Sequence, residues 1–170
     1  MSLSFYEASV PVYRRMLSNL SALLDKAEAH AGTNGVALST FAEARLAEDM
    51  RPLTAQVQMA TDSAKGGAAR LAGREPPSFA DTETSFPELK DRIARTIAFL
   101  DTVKPEDLDG AGERTIELKF PQRTMTFSGR DFLLGFSIPN FLFHVTTAYA
   151  ILRAQGVPLG KADYLAGGNL

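Results

Sequence analysis

The sequence predicts an all-α protein in which one short β-hairpin precedes the last helix. Three long stretches carry apolar residues at steps of three or four, the spacing of a helix with one buried face. A fourth, more apolar stretch follows a helix-capping pattern that begins at Ser128. Before it, two short runs with alternating apolar residues flank a turn at residues 121–123, which is typical of paired strands. Four long helices and a hairpin follow from these patterns.

The first predicted helix runs from Ser9 to Ala29. One face of it collects the apolar residues Val10, Tyr13, Leu17, Leu20, Leu24 and Ala27, with Met16 and Leu23 beside them. The second predicted helix repeats this spacing at Leu46, Met50, Leu53, Val57, Ala60, Ala64 and Leu71. Both stripes predict helices that bury one side.

The sequence contains signals for the start and the end of the second helix. Asp49 is its predicted N-cap, Pro52 is tolerable in a first turn, and Gly73 is a natural stop. Its middle, ATDSAKGGAARLAG, is rich in alanine and glycine. Small side chains let a neighbouring backbone come close, so we expect tight helix packing there.

The second half of the chain alternates connections with structure. The polar segment REPPSFADTETSFP predicts a long connection, and a third helix begins near Pro87. TIELKF and TMTF predict the hairpin, which must lean on helices because two strands alone are marginal. The last helix is predicted to start near Ser128, to kink or restart at Pro139, and to end at Gly156. The apolar face of the third helix is formed by Leu89, Ile93, Ile97 and Leu100.

Length, charge and cysteine content limit the classes of protein to which this chain can belong. A chain of 170 residues that is 45% hydrophobic predicts a single domain over residues 1–170. A formal charge of −2, from 18 basic and 20 acidic residues, offers no basic surface for nucleic acid. The chain has no cysteine, which excludes disulfides, thiolate metal ligands and a cysteine nucleophile. Without a signal-like N-terminus or a long uncharged apolar run, we expect a cytoplasmic protein that does not bind membranes.

His144 is the residue most open to a chemical role. It lies at the edge of the apolar face of the last helix, so its imidazole is expected to point inward or toward a cleft. It is either a metal ligand or a buried histidine that bonds to a carbonyl or hydroxyl, and the second reading is favoured for a lone histidine on an apolar face. His30, at the end of the first helix, is expected to cap that helix or to be exposed.

A metal site between helices needs several histidines or carboxylates that converge. Asn140 stands four residues before His144, but an amide is a weak ligand for a transition metal. Gln56, Gln58 and Asp62 on the second helix are the other inward candidates, and structural polar roles explain them as well or better. Neither a GxSxG motif nor a phosphate-binding glycine loop occurs, since Gly66 and Gly67 fall within a helix.

Three segments carry a resemblance to a known family: YEASVPVYRRMLSNLSALLDKAEAHA, FPELKDRIARTIAFL and PNFLFHVTTAYAILRAQGVPLGKADYL. They resemble an uncharacterised bacterial and fungal family within the DinB/YfiT-like superfamily. The resemblance implies an up-down-down-up four-helix bundle, usually a homodimer, in a class of proposed metalloenzymes. In that superfamily a histidine on the second helix and an HxxxH pair on the last bind a divalent metal, and some members act on small thiols.

The terminal LRxxG pattern, Leu152 to Gly156, relates this chain to the superfamily's metal ligands. The resemblance implies that His144 is the second histidine of HxxxH, Asn140 stands for the first, and the second-helix ligand falls at Gln56 or, with a shifted register, at Gln58. Two of the three positions that hold histidine in the superfamily thus hold an amide side chain here. We expect no tightly bound nickel or zinc; if any metal binds, His144 is its ligand.

Three functional hypotheses remain open from the sequence. The first is a small-molecule-binding or interaction protein whose cleft contains Gln56, Asn140 and His144. The alternative is a divalent-metal-dependent hydrolase or thiol-transferase-like enzyme that uses His144 with Asp62. Asp62, however, lies about 9 Å beyond Gln56 along the helix at ~1.5 Å per residue. The third is a purely structural homodimer that uses surplus apolar residues of the last helix, namely Phe141, Phe143 and Tyr149.

Overall fold

The computed structural model describes residues 3–167, which are mainly helical with one two-stranded antiparallel hairpin. The long helices are α1 (Val10–Asn34), α3 (Leu53–Leu71), α4 (Phe86–Leu100) and α6 (Ile138–Ala154). The hairpin consists of β1 (Thr115–Phe120) and β2 (Arg123–Ser128). The shorter elements are α2 (Leu38–Glu43), α5 (Gly129–Asp131), a π-helical turn (Phe132–Ser137), α7 (Lys161–Ala166) and two 3₁₀ turns (Pro105–Leu108 and Ala111–Glu113).

The four long helices enclose one hydrophobic core. α1 packs against α4 and α6, and α3 packs against the same two helices. The apolar stripes predicted from the sequence form this core, and residues such as Leu17, Val57, Ile93 and Val145 are at most 1% exposed. The prediction of a mainly helical fold with one hairpin is therefore confirmed.

The start of the second long helix was predicted wrongly. α3 begins at Leu53, Leu46 is 47% exposed outside it, and Asp49 is not its N-cap. Proline disfavours helical geometry in the residue before it, here Arg51, so the helix does not extend back to Asp49, and Pro52 lies just before its first residue. The loop instead closes where the Leu53 amide donates to the Ala44 carbonyl, at 2.9 Å. α2, six residues long, was too short for a periodic pattern to predict.

Gly67 explains the small residues of α3. A Cβ at this position would clash with the Ser137 hydroxyl and lie 2.9 Å from the Tyr13 hydroxyl oxygen. The bare backbone therefore lets α1, α3 and the π-helical turn meet, which confirms the predicted tight packing. Gly73, with φ of +66°, follows the end of α3 as the stop that was expected.

Arg92 of α4 fixes the long connection between α3 and α4. Its side chain is fully buried and donates to Thr61 at 2.7 Å, Asp62 at 2.7 Å and Glu83 at 3.1 Å. It also lies 3.0 Å from the carboxylate of Asp81. We call these five residues the Arg92 cluster; it ties the connection to α3 because a buried guanidinium must find partners for its donors.

The Arg92 cluster is completed by residues at its rim. Gln58 donates to Glu83 at 3.0 Å. Burial tends to raise the pKa of Glu83, but its hydrogen bonds with the backbone, Gln58 and Arg92 outweigh this and lower it from the usual value. The ring of Phe79 lies beneath Lys65 and Arg95, at 4.9 and 4.8 Å from the ring centre. The hydrogen bonds of Glu83 and the cation–π contacts of Phe79 together hold the connection against α3 and α4.

The hairpin leans on the helices, as predicted. Ile116 and Leu118 of β1 are buried, and Arg114 just before the strand donates to the carbonyl of Leu71 at the end of α3. Gly129 follows β2, and a Cβ there would clash with the carbonyl of Ala111. The hairpin is thus fixed at the start of β1 and at the end of β2, and it lies beside the C-terminal half of α3.

The last helix starts where the capping pattern indicates. The Ser128 hydroxyl accepts a hydrogen bond from the Asp131 amide at 3.1 Å. The π-helical turn follows, and regular α-helix restarts at Ile138, one residue before Pro139. α6 ends at Ala154, close to the predicted Gly156. α7 was not predicted; it docks on α1, where Asn19 donates to the carbonyl of Tyr164 at 2.9 Å.

Candidate functional site

A cleft of about 340 Å³ opens between α3, the hairpin and the start of α6. α3 forms its floor, the π-helical turn and α6 form one wall, and β1 forms the other. Its walls combine an aromatic side with a polar side. The lining residues are Met59, Asp62, Ser63, Gly67, Arg70, Leu118, Phe120, Phe132, Phe136, Ser137, Asn140 and His144.

His144 is oriented by Gln56. The imidazole Nδ1 lies 2.9 Å from the Gln56 side-chain oxygen, and the amide nitrogen of Gln56 donates to the Arg51 carbonyl at 3.1 Å. Because a carbonyl can only accept, the second bond fixes which end of the Gln56 amide faces the histidine. The Gln56 oxygen must then accept, so His144 carries its proton on Nδ1 when neutral.

The other ring nitrogen of His144 is the one open to the cleft. Gln56 is 2% exposed and does not line the cleft, whereas His144 does. No buried side-chain polar atom of residues 3–167 lacks a partner, and Nε2 makes no hydrogen bond to any of these residues. Nε2 is therefore accessible as a hydrogen-bond acceptor. Burial lowers the pKa of His144 from its usual value, which favours this neutral form.

Asn140 lies one helical turn before His144 on α6. Its amide nitrogen donates to the Ser63 hydroxyl at 2.7 Å, and Ser63 in turn donates to the Met59 carbonyl at 2.7 Å. These bonds join α6 to α3 across the floor of the cleft. The structure therefore brings together three of the predicted residues, Gln56, Asn140 and His144, along one side of α3.

Gln58 and Asp62 do not join them. Gln58 points to the other side of α3 and binds Glu83. Asp62 reaches the edge of the cleft, but its carboxylate is held by Arg92 at 2.7 Å and Lys65 at 2.8 Å. The sequence could not show that these two side chains are engaged, because Glu83 and Arg92 come from a connection and a helix far along the chain.

The donor set does not fit the metal that the superfamily implies. The Gln56 oxygen is committed to His144, the Asn140 nitrogen to Ser63, and Asp62 to two cations. Within residues 3–167, no group of three or more histidines and carboxylates is arranged to hold a metal ion. One imidazole nitrogen with neutral neighbours is a poor site for nickel or zinc, which prefer several anionic or imidazole ligands.

A buried hydroxyl pair closes one end of the cleft. The hydroxyls of Tyr13 and Ser137 lie 2.8 Å apart, beside Gly67. Burial raises the pKa of Tyr13 to about 12, so the phenol stays neutral. The ring of Tyr13 also packs edge-on against Phe141, at 5.0 Å between centres. This pair positions the start of α6 against α1 and α3.

Sequence reasoning missed Arg70 and the aromatic wall. The available signal was a second stripe on the same helix, since Met59, Ser63, Gly67 and Arg70 step by four, four and three. Phe132 and Phe136 were expected only as apolar helix residues, but the π-helical turn stacks them with 6.0 Å between ring centres. A π-helical turn cannot be predicted from apolar spacing.

The fold and the cleft define a DinB-like helical protein. The chain matches the solved structure described as a DinB family member protein from Shewanella denitrificans, with 41% identity over 95% of this chain and 91% of that one and a TM-score of 0.88. Residues 5–165 match the family described as a domain of unknown function, DUF1993, and the chain belongs to that family. No curated protein matches it. Among the described residues, no helix is both long and apolar enough to cross a membrane.

Proposed function

We propose that this DinB-like protein binds a small molecule in the cleft, through His144 and Asn140. Gln56 acts behind the site, since its hydrogen bond sets which nitrogen of His144 meets the ligand. The cleft falls within the usual range for small-molecule sites, and it has an apolar wall with a few polar groups that converge. Binding in this proposal requires no metal.

One observation carries the proposal: the imidazole is held on one nitrogen and left open on the other. A histidine that served only the core would have both ring nitrogens bonded within the protein, because a buried nitrogen without a partner costs free energy. Here Gln56, itself anchored to the Arg51 carbonyl, presents Nε2 to a cleft. Such an arrangement is typical of a residue that meets a ligand.

The test is a screen of small polar-aromatic fragments by thermal shift, followed by ligand-detected NMR. Fragments that stabilise the wild type should fail to stabilise the double variant Asn140→Ala, His144→Ala. A matched control exists on α1, where Asn34 donates to the ring of His30 at 3.2 Å, outside the cleft. The variant His30→Ala, Asn34→Ala should keep the full response. Equal stabilisation of all three proteins would show that the cleft is not the binding site.

The metal-dependent alternative can be tested on the same protein. Elemental analysis after purification without a histidine tag, and thermal shifts with nickel, zinc and manganese, should show neither stoichiometric metal nor a saturable shift. The physical reason is the donor set, in which the oxygens of Gln56 and Asp62 are already engaged. Metal-dependent activity that vanished with chelator and in His144→Ala would instead establish the enzyme.

We also propose that the long helices follow the up-down-down-up order within a single domain of residues 1–170. Ion pairs of Lys90 with Asp25 and of Arg14 with Asp101 support antiparallel packing of α1 and α4. The hydrogen bonds between α3 and α6 in the cleft support antiparallel packing of that pair, and one contiguous core supports the single domain. Spin-label distances between helix ends would contradict this order if α1 and α4 proved parallel.

A homodimer is proposed for the outer face of α6. Phe143 is 55% exposed and Leu134 of the π-helical turn is 56% exposed, so both are open to a second copy. Phe141 was predicted for this surface wrongly, because it lies in the core against Tyr13. Tyr149 is half-buried under Tyr164 of α7, at 5.8 Å between ring centres. Light scattering should report a dimer for the wild type and a monomer for Phe143→Ser; a wild-type monomer would end the proposal.

A further inference from the structure

Arg70 stands at the end of the cleft opposite His144. Its guanidinium folds back along α3 and donates to the Gly66 carbonyl at 3.0 Å. A Cβ at Gly66 would lie 2.6 Å from the nearest guanidinium nitrogen. The absence of a side chain at Gly66 therefore creates the place in which the guanidinium rests, one turn of helix from Ser63 and its partner Asn140.

Arg70 forms no ion pair within the described chain, although Glu75 attracts its charge from a longer distance. The guanidinium is half-buried, and no carboxylate of residues 3–167 lies within ion-pair distance of it. Asp62 is the one carboxylate among the residues that line the cleft, and two other cations already hold it. A partly desolvated guanidinium with free donors favours an anion, and a carboxylate matches its geometry.

The opposite end of the cleft, at His144, favours a different chemical group. Nε2 of His144 accepts hydrogen bonds and donates none, because the ring proton is committed to Gln56. A ligand must therefore present a donor there, such as a hydroxyl. Ser137, beside the guanidinium end, and His144 are seven residues apart on one continuous helical segment, which is about 10 Å at ~1.5 Å per residue.

One wall of the cleft, on the helical segment just before Ser137, is apolar. Phe132 and Phe136 are stacked, with an angle of 21° between their rings, and Leu118 faces them from the hairpin. Phe127 of β2 packs on both rings from outside the cleft, at 6.1 and 5.8 Å. A flat apolar body fits such a wall better than a sugar or a polar chain, because stacked rings offer no hydrogen bonds.

From these three regions we infer that the cleft binds an elongated monocarboxylate: its carboxylate pairs with Arg70, its aromatic body lies along Phe132 and Phe136, and a hydroxyl at its far end donates to His144. This inference rests on the proposed small-molecule function and names its ligand class. Arg70 is then the residue that selects for charge, and His144 the residue that selects for the distal hydroxyl.

A matched set of three compounds tests the class by calorimetry or NMR titration. The probes are 3-(4-hydroxyphenyl)propanoate, its neutral primary amide, and 3-phenylpropanoate, which lacks the hydroxyl. The acid should bind the wild type about tenfold more tightly than the amide, the size expected for one charge-assisted hydrogen-bonded contact. 3-Phenylpropanoate should bind several-fold more weakly than the hydroxylated acid, because Nε2 is left without a donor.

Variants separate the two ends of the cleft. Arg70→Gln should remove the preference for acid over amide, while Arg15→Gln, which deletes a charge from an exposed position of α1, should leave it intact. His144→Phe should remove the preference for the hydroxyl. Gly66→Ala retains Arg70 but displaces its guanidinium, so it should weaken the acid more than the amide.

The outcomes also distinguish this inference from the proposed function. If acid and amide bind alike to the wild type and to Arg70→Gln, or if none of the three compounds binds, the ligand class is overturned. The proposed function falls only when the fragment screen also finds no ligand that depends on Asn140 and His144. Loss of the charge preference in Arg70→Gln, with the Arg15→Gln control unchanged, supports the class.

Discussion

α3 separates two polar clusters, each containing one arginine. On one side, Arg92 is fully buried, and Thr61, Asp62, Asp81 and Glu83 take up its donors. On the other side, Arg70 is half-buried, bonds to a single backbone carbonyl and faces a cleft. The Arg92 cluster is closed, whereas the cleft is open.

The difference indicates which side of α3 stabilises the fold and which side is open to a ligand. A closed network holds the connection between α3 and α4, and removing one member leaves others buried without partners. An open group has its remaining hydrogen bonds supplied by water or by a ligand. Mutations in the Arg92 cluster should therefore lower stability, whereas mutations in the cleft should lower ligand binding.

The largest expected effect is that of Arg92→Met. Removal of the guanidinium leaves the carboxylate of Glu83, whose side chain is 5% exposed, with the exposed Arg95 at 3.6 Å as its remaining cation. Breaking a buried pair in this way costs about 3–5 kcal/mol, which chemical denaturation would measure. Arg95→Gln is the matched control, because Arg95 belongs to the rim of the same cluster but is 49% exposed. A loss of less than 1 kcal/mol in Arg92→Met would mean that the closed cluster does not stabilise the fold.

The two adjacent glycines of α3 should respond in opposite directions. Gly67→Ala places a methyl group against the hydroxyls of Ser137 and Tyr13, and overpacking of this kind costs about 1–3 kcal/mol. Gly66→Ala meets only the movable end of Arg70, so its better helix propensity should stabilise the protein by up to about 1 kcal/mol. Thermal denaturation of both variants measures this. The same sign for both would contradict the assigned packing.

Acidification should affect the two sides of α3 in different pH ranges. The pKa of His144 is lowered by burial, so the contribution of neutral His144 is complete above its ordinary pKa of 6.5 and is lost as pH falls through the lowered value. The pKa of Glu83 is also lowered, so its contribution persists down to about its ordinary value of 4.5 and is lost below it.

Unfolding free energies measured from pH 8 to pH 3 would separate these ranges. His144→Phe should flatten the curve in the upper range, and Glu83→Gln in the lower one. If His144→Phe left the upper range unchanged, the lowering of the His144 pKa by burial would be contradicted.

The smallest effect on stability is expected from Arg70→Met. No buried carboxylate depends on Arg70 within the described chain, so the unfolding free energy should change by less than about 0.5 kcal/mol. Denaturation of this variant beside Arg92→Met compares the two arginines directly. A loss approaching that of Arg92→Met would show that the cleft is also a stabilising network.

The sequence predicts the long elements better than the site. Periodic apolar residues locate α1, α4 and most of α3, because one buried face repeats over several turns. His144 and Asn140 were found because they share a helix face at a spacing of four. Asp62 lines the cleft as predicted, but the pairing of its carboxylate was not foreseen, and Arg70 was missed, because local spacing does not reveal which charges will find partners. Only the folded connection, which brings Asp81 and Glu83 to Arg92, decides that.

The π-helical turn gives the cleft an evolutionary constraint. A π-helical turn takes one more residue than an α-helical turn, since its hydrogen bonds span five residues instead of four. A deletion of one residue within it, for example of the exposed Gly135, would restore a regular helix and rotate everything beyond it by about 100° relative to the residues before it. Asn140 and His144 would then leave the face that meets α3. We therefore expect related chains that keep the cleft to keep the length of this short segment, and to tolerate substitutions there far better than insertions or deletions.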